Sequence, residues 1–271
     1  MTNDYGNLEL HKVLLSAMKD FDSFCKEHHL RYILHGGTCL GAIRHKGFIP
    51  WDDDVDIAMP RKDYEKFLKL SPNFSSEKYT ILTYKTDPKM LTNVIKISIN
   101  HAGFSGVSGA NGNGEAFLDI FPLSPIPNSK FLQKLQNKTA IFLNNCVYAK
   151  IGYITLSSWK SKLILGTLSQ LPRKFLGNML EFCIKYFPGR KTKFLNIVAT
   201  ANYNNYTGYA WDLTPKEYLE DIVFTDFEGE SFPVTKYWDE YLATHYGDYM
   251  QEPPIEKRIN KHNLHRKEDF K

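Results

Sequence analysis

Nowhere do the 271 residues contain 18 consecutive apolar side chains, so no segment reads as a membrane-spanning helix. The first residues, MTNDYGNLEL, lack the apolar centre of a secretory signal, and no signal-borne export is expected. Cysteine is scarce: Cys25, Cys39, Cys146 and Cys183 are far apart, with no Cys-x-x-Cys pair, which excludes a zinc ribbon and a disulfide framework. These absences together predict a reduced, cytoplasmic setting. Internal repeats and low-complexity tracts are missing too. Acid is nearly absent from one stretch. Residues 130–200 carry twelve Lys or Arg against the single Glu181, a balance of +11 that leaves the rest of the chain at −7 within a total of +4. Such asymmetry asks for an anionic partner. No base-stacking or helix-turn-helix signature accompanies it, so nucleic acid is not expected.

What is present is ordinary globular material, 42% hydrophobic and 24% charged, enough to build a core rather than a disordered chain. Residues 8–28 repeat apolar side chains at three- and four-residue steps (Leu10, Val13, Leu14, Ala17, Met18, Phe21), which predicts an amphipathic helix. LRYILHGG then reads as a short buried strand entering paired glycines, with Thr38 as N-cap of a short helix, CLGAIRH. Strands are predicted over 53–59, 78–85, 92–100 and 115–123, with a helix over 61–70. After Pro127 helical periodicity takes over to about residue 200, with Pro172 splitting one long run in two. We therefore expect three parts: a mixed α and β core over 1–125, a basic helical segment over 126–200, and a Tyr-, Trp- and Pro-rich C-terminal part over 201–271.

The densest signal is RHKGFIPWDDDVDIAM at 44–59, with four aspartates between Asp52 and Asp56. On a strand, side chains two apart share a face, so Asp54 and Asp56 converge, Asp52 can join them, and Asp53 points elsewhere as an expendable neighbour. Converging carboxylates repel unless a cation sits between them, and a hard divalent ion with oxygen ligands, Mg²⁺ or Mn²⁺, answers that need. Such ions commonly hold phosphates. A third carboxylate is expected from Asp119, a lone acid in the apolar strand FLDIF, where burial without a partner would be costly. An EF-hand loop also places acids at its first, third and fifth positions, but Ile57 stands where that loop needs glycine, and the reading is discarded.

The stretch YILHGGTCLGAIRHKGFIPWDDDVDIAMPRKDYEKF at 32–67 closely resembles, in order and spacing, the signature of the LicD family of phosphorylcholine transferases, which includes fukutin-type phosphoribitol transferases. FLDIFPL at 117–123 resembles that family's second block, and FEGESFPV (227–234), YGDYMQEPP (246–254) and KRINKH (257–262) its C-terminal blocks. The resemblance implies an α+β, nucleotidyltransferase-like fold: a mixed sheet with flanking helices, beside which the basic helical segment is an addition. It implies Asp54, Asp56 and Asp119 as the metal-binding, catalytic carboxylates, with Asp52 assisting, and Gly36, Gly37 and Thr38 as a turn facing phosphate. Glycines allow backbone N–H groups to approach phosphate, and a helix start adds partial positive charge.

Cations for phosphate are available at Arg44, His45, Arg61, Lys96, Arg258 and His262, where arginine suits bidentate contact better than lysine. A choline cargo, unable to donate hydrogen bonds, would need aromatic faces, for which Trp51, Trp211, Tyr206 and Tyr209 are the candidates. The expected function is metal-dependent transfer of phosphocholine from CDP-choline to a hydroxyl of a cell-surface glycan precursor of teichoic-acid or lipopolysaccharide type, releasing CMP. The same site would serve phosphoribitol, phosphoglycerol or phosphoethanolamine. An Asp-x-Asp glycosyltransferase and a non-enzymatic basic membrane scaffold are the competing readings. The basic segment would let the protein sit peripherally on the inner membrane face, where a lipid-linked acceptor is presented.

Overall fold

The computed structural model describes residues 5–83, 86–87, 90, 94–105, 115–150, 159–168, 170–186, 192–198, 213–260 and 264–266. Tyr206, Tyr209, Trp211 and His262 lie outside these residues.

The fold is α+β. It opens with helix α1 (Leu8–Glu27), which buries Leu10, Leu14, Ala17, Met18 and Phe21, the face the three- and four-residue spacing marks. Strand β1 is only Ile33–Leu34, shorter than the predicted strand, because the chain turns directly into helix α2 (Gly36–Arg44). Strand β2 (Val55–Pro60) follows, then α3 (Arg61–Phe74), which runs past the predicted end and carries Pro72 within its last turn. Strands β3 (Tyr79–Leu82), β4 (Ile95–Ile99), β5 (Phe104–Ser105) and β6 (Phe117–Ile126) come next. Helices α4 (Lys130–Lys150), α5 (Trp159–Leu168) and α6 (Arg173–Tyr186) carry the basic segment, with Pro172 at the break. The remainder is β7 (Phe194–Asn196), β8 (Thr214–Pro215), α7 (Glu217–Glu220), β9 (Ile222–Phe227), β10 (Glu230–Thr235), α8 (Trp238–Tyr246) and β11 (His265–Arg266).

The chain divides into two compact units. The first comprises 1–82, 95–121 and 217–271; the second comprises 83–94 and 122–216. In the first, the strands lie in the order β1-β2-β6-β4-β3, and β9 and β10 form a hairpin. Its core packs Phe21 of α1 edge-on against Phe67 of α3 at 5.3 Å, above the fully buried Ile57, Ile95 and Ile97. Every residue of β4 is buried, so a charge on it must find a partner inside the fold. In the second unit the end of β6 pairs with β7, which pairs with β8, and α4 and α6 pack through Leu143, Val147, Leu176 and Leu180.

Candidate active site

The site is built where α2 starts beside β2. The His35 N–H donates to the Asp56 carbonyl at 2.9 Å, and the Asp56 N–H donates to Thr38 Oγ1 at 2.8 Å. Thr38 is therefore not the N-cap that the sequence suggests: the helix starts two residues earlier, and the hydroxyl ties the helix to the aspartate strand. Tyr241 of α8 completes the lock, its hydroxyl oxygen accepting the Gly36 N–H at 2.9 Å and lying 2.9 Å from His35 Nδ1.

Gly36 has φ of +53°, and a methyl added there would stand 2.8 Å from Asp56 Oδ2. One added at Gly37 would stand 2.7 Å from Asp52 Oδ2. The paired glycines thus make room for two carboxylates at the N-terminal end of α2, where the helix carries partial positive charge.

Around that point the acids collect. Asp52, Asp53 and Asp54 each bring a carboxylate oxygen within 4.8 Å of the others. Asp52 is held from behind by His11, whose Nε2–H donates to its carbonyl at 2.8 Å. Asp53 differs from the expendable neighbour expected of it: it is fully buried, and its Oδ2 accepts the Leu264 N–H at 3.4 Å. Its carboxylate thus takes a C-terminal backbone donor while staying within the acid cluster.

Asp119 finds its partner across the sheet. It is in register with Lys96 on β4, whose Nζ lies 2.7 Å from Asp119 Oδ1 and 3.0 Å from the centroid of the Phe117 ring. Burial lowers the Lys96 pKa, opposed by Asp119 first and then by Asp54 and Asp56. The Tyr246 hydroxyl reports the other side of the cluster: burial and then Asp56, Asp52 and Asp54 hold its pKa well above the usual value. Asp54 and Asp56 therefore bear electrostatically on both Lys96 and Tyr246.

Next to Gly37 and Asp52 opens a cavity of about 770 Å³, bordered by Arg44, Trp51, Tyr246, Tyr249, Lys257 and Arg258. The segment after α8 closes it. Arg44 Nη1 donates to the Tyr249 carbonyl at 2.7 Å, and burial lowers its pKa. His45 Nε2 lies 3.3 Å from Glu252 Oε1, and burial, then Arg44, lowers its pKa. Arg258 pairs with Glu252 at 2.7 Å, donates to the Pro253 carbonyl at 2.8 Å, and lies 5.1 Å from the centre of the Trp51 ring. Arg44, Trp51 and Arg258 are thus brought together at one cavity, and His45 reaches it through Glu252. Arg61 is engaged by Glu65 at 2.9 Å and by the Tyr64 ring at the start of α3. Sequence reasoning missed His35, Tyr241 and Tyr246. The last was within reach, because it opens the YGDYMQEPP block.

The donor set fits a hard divalent cation: only carboxylates, with glycine opposite and a lysine already balancing Asp119. Phosphate fits beside it, at the start of α2 and near the Arg44, Lys257 and Arg258 side chains that line the cavity.

Residues 29–144 match the family described as LicD/FKTN/FKRP, nucleotidyltransferase domain. The chain is 32% identical over 256 residues, 92% of its own length and 93% of the relative's, to the lipopolysaccharide cholinephosphotransferase LicD of Haemophilus influenzae. Shorter matches of 68 residues, at 38% and 37% identity, link it to uncharacterised proteins of Rickettsia typhi and Rickettsia prowazekii; they span 25% of this chain and 22% and 26% of those.

Proposed function

The chain belongs to the LicD family of phosphorylcholine transferases, and from that premise we propose that it moves phosphocholine from CDP-choline to a hydroxyl of a lipopolysaccharide-type glycan precursor, releasing CMP. It is a phosphotransferase. The observation that carries the mechanism is the convergence of Asp52 and Asp56 on the N-terminal end of α2, where Gly36 and Gly37 leave space for their carboxylates.

Asp52, Asp54 and Asp56 would hold Mg²⁺ or Mn²⁺, which when bound neutralises phosphate charge and makes an attacking hydroxyl more acidic. The Gly37 and Thr38 N–H groups and the positive end of α2 take phosphate oxygens, the Gly36 N–H being given to Tyr241. Arg44, Lys257 and Arg258, with Trp51 and Tyr249, line the cavity beside the acids Asp52, Asp248 and Glu252 and offer cationic and aromatic contacts to a nucleotide. The acceptor oxygen forms a bond to the phosphorus that carries choline, the bond from that phosphorus to the CMP oxygen breaks, and the acceptor proton passes to Asp119. Lys96 holds the Asp119 carboxylate in place for that transfer. Arg258 already lies over the Trp51 ring, which favours the phosphate-bearing half of the donor at this cavity over the quaternary ammonium.

The test is a donor panel. With Mg²⁺ or Mn²⁺, CDP-choline should release CMP faster than CDP-ribitol, CDP-glycerol or CDP-ethanolamine, and EDTA should stop it. A faster CDP-ribitol or CDP-glycerol reaction would move the cargo assignment. Release of nucleotide from sugar donors only would replace the reading with a glycosyltransferase.

A further inference from the structure

The solvent side of α6 in the second unit is unlike that of a soluble helix, and we infer that it docks on an anionic lipid surface. Among the described residues, α6 buries Leu176, Leu180, Cys183 and Ile184 and turns Phe175, Met179, Phe182 and Tyr186 outward. Phe182 is 65% exposed and Tyr186 70%. A water-facing stripe should be polar, with the apolar stripe inside; α6 is apolar on both.

The same outward face bears Lys174 and Lys185, both exposed, and its neighbour Glu181 lies 4.0 Å from Lys185. Helix α4 repeats the pattern: Phe131 (73% exposed), Leu135 and Phe142 turn outward along one side together with the exposed Lys134 and Lys138. At the start of α5, Trp159 and Leu163 are also outward, and α4 packs against both α5 and α6. Aromatic and methionine side chains interleaved with lysine are the composition of helices that lie in a membrane interface, the rings entering the headgroup boundary and the ammonium groups reaching up to lipid phosphates.

Charge selects the occupant. Residues 130–200 hold +11, so a second copy meeting this face would bring the same charge against it, whereas anionic headgroups complement it. No described helix is long and apolar enough to cross a membrane, so the contact is interfacial. A surface of this kind would bring the enzyme to a lipid-anchored acceptor; the docking itself stands independently of the phosphocholine reading.

Flotation of the full-length protein with vesicles decides it. At low salt the protein should float with equimolar phosphatidylglycerol and phosphatidylcholine and remain behind with phosphatidylcholine alone. Phe175→Ser with Phe182→Ser should weaken binding at least about tenfold, and Lys174→Glu with Lys185→Glu should abolish it, while both variants release CMP from soluble CDP-choline at the wild-type rate. Failure of the wild type to float, or equal flotation of the variants, overturns the proposal. So does concentration-dependent self-association that the phenylalanine variant removes, which would make the face a protein interface. Flotation without CMP release would instead overturn the catalytic assignment and leave the docking intact.

Discussion

At the scale of single residues, three changes expose the physics of the site. Gly36→Ala would place a methyl 2.8 Å from Asp56 Oδ2 at a positive φ, and that φ costs about 1–2 kcal/mol for an L side chain. Thermal unfolding should record that loss, and CMP release should fall further than stability does, because Asp56 is pushed off position. Lys96→Met removes the charge facing the half-buried Asp119 and should cost about 3 kcal/mol, the low end of the range for breaking a buried pair, since Asp119 keeps some solvent contact. Urea denaturation of Lys96→Met, Asp119→Asn and the double variant checks it: the double should recover most of the loss. His45 sets a pH dependence. Its folded pKa lies below 6.5, so the unfolded chain takes up a proton that the folded chain resists; the stability is present above pH 6.5 and lost as pH falls through 6.5 toward the folded value. Urea unfolding near pH 7.5 and 5.5 should show a larger acid loss for wild type than for His45→Gln. Much at this scale was legible. The alternation of Asp54 and Asp56 and the lone Asp119 stand out in sequence because acids in apolar strands need a reason. The Lys96 partner was not, because pairing across β4 and β6 depends on register, which composition does not carry.

At the scale of elements, α2 is the part on which the site hangs. It joins the aspartate strand through Thr38 and joins α8 through Tyr241, so its position is fixed from two sides. A methyl at Gly41 would lie 2.5 Å from the Gly47 carbonyl oxygen, a backbone atom that cannot swing away. Gly41→Ala should therefore lower stability by about 1–3 kcal/mol in urea unfolding, the usual penalty for overpacking, and reduce CMP release as the helix shifts. The sequence reading placed the start of this helix after Thr38 because threonine is a favoured cap. It missed that Gly36, at positive φ, lets the chain enter the helix with no side-chain cap at all. Helices α1 and α3 were legible from periodicity, and the break before α6 from Pro172. The β9–β10 hairpin was not, because the apolar Ile222 and Phe224 stand on the exposed face and the polar Thr225 on the inward one, so polarity does not follow the alternation of burial.

At the scale of the whole molecule, the two units divide the chemistry by charge. The acid-rich first unit gathers the carboxylates, the α2 start and the cavity, while the second bears the whole +11 of residues 130–200 and the outward aromatic stripes. The sequence showed the asymmetry but not its form, since a run of lysines on helical spacing is equally consistent with a solvated face; only the outward Phe, Met and Tyr of α6 separate the two. Residues 83–94 join the second unit although they precede β4, a grouping that no local pattern announces; Arg173 of α6 donates to the Asp87 carbonyl there at 3.1 Å. The claim on which the whole account turns is that Asp52, Asp54 and Asp56 hold a divalent cation for phosphocholine transfer. Its most direct test is CMP release from CDP-choline, with and without Mg²⁺, by wild type and Asp56→Asn side by side. The account predicts Mg²⁺-dependent release by the wild type, a loss of at least about a thousandfold in the variant, and a metal-free variant that melts no lower than wild type because one repelling charge is gone. Release that persists in Asp56→Asn, or that ignores Mg²⁺ in the wild type, would contradict it.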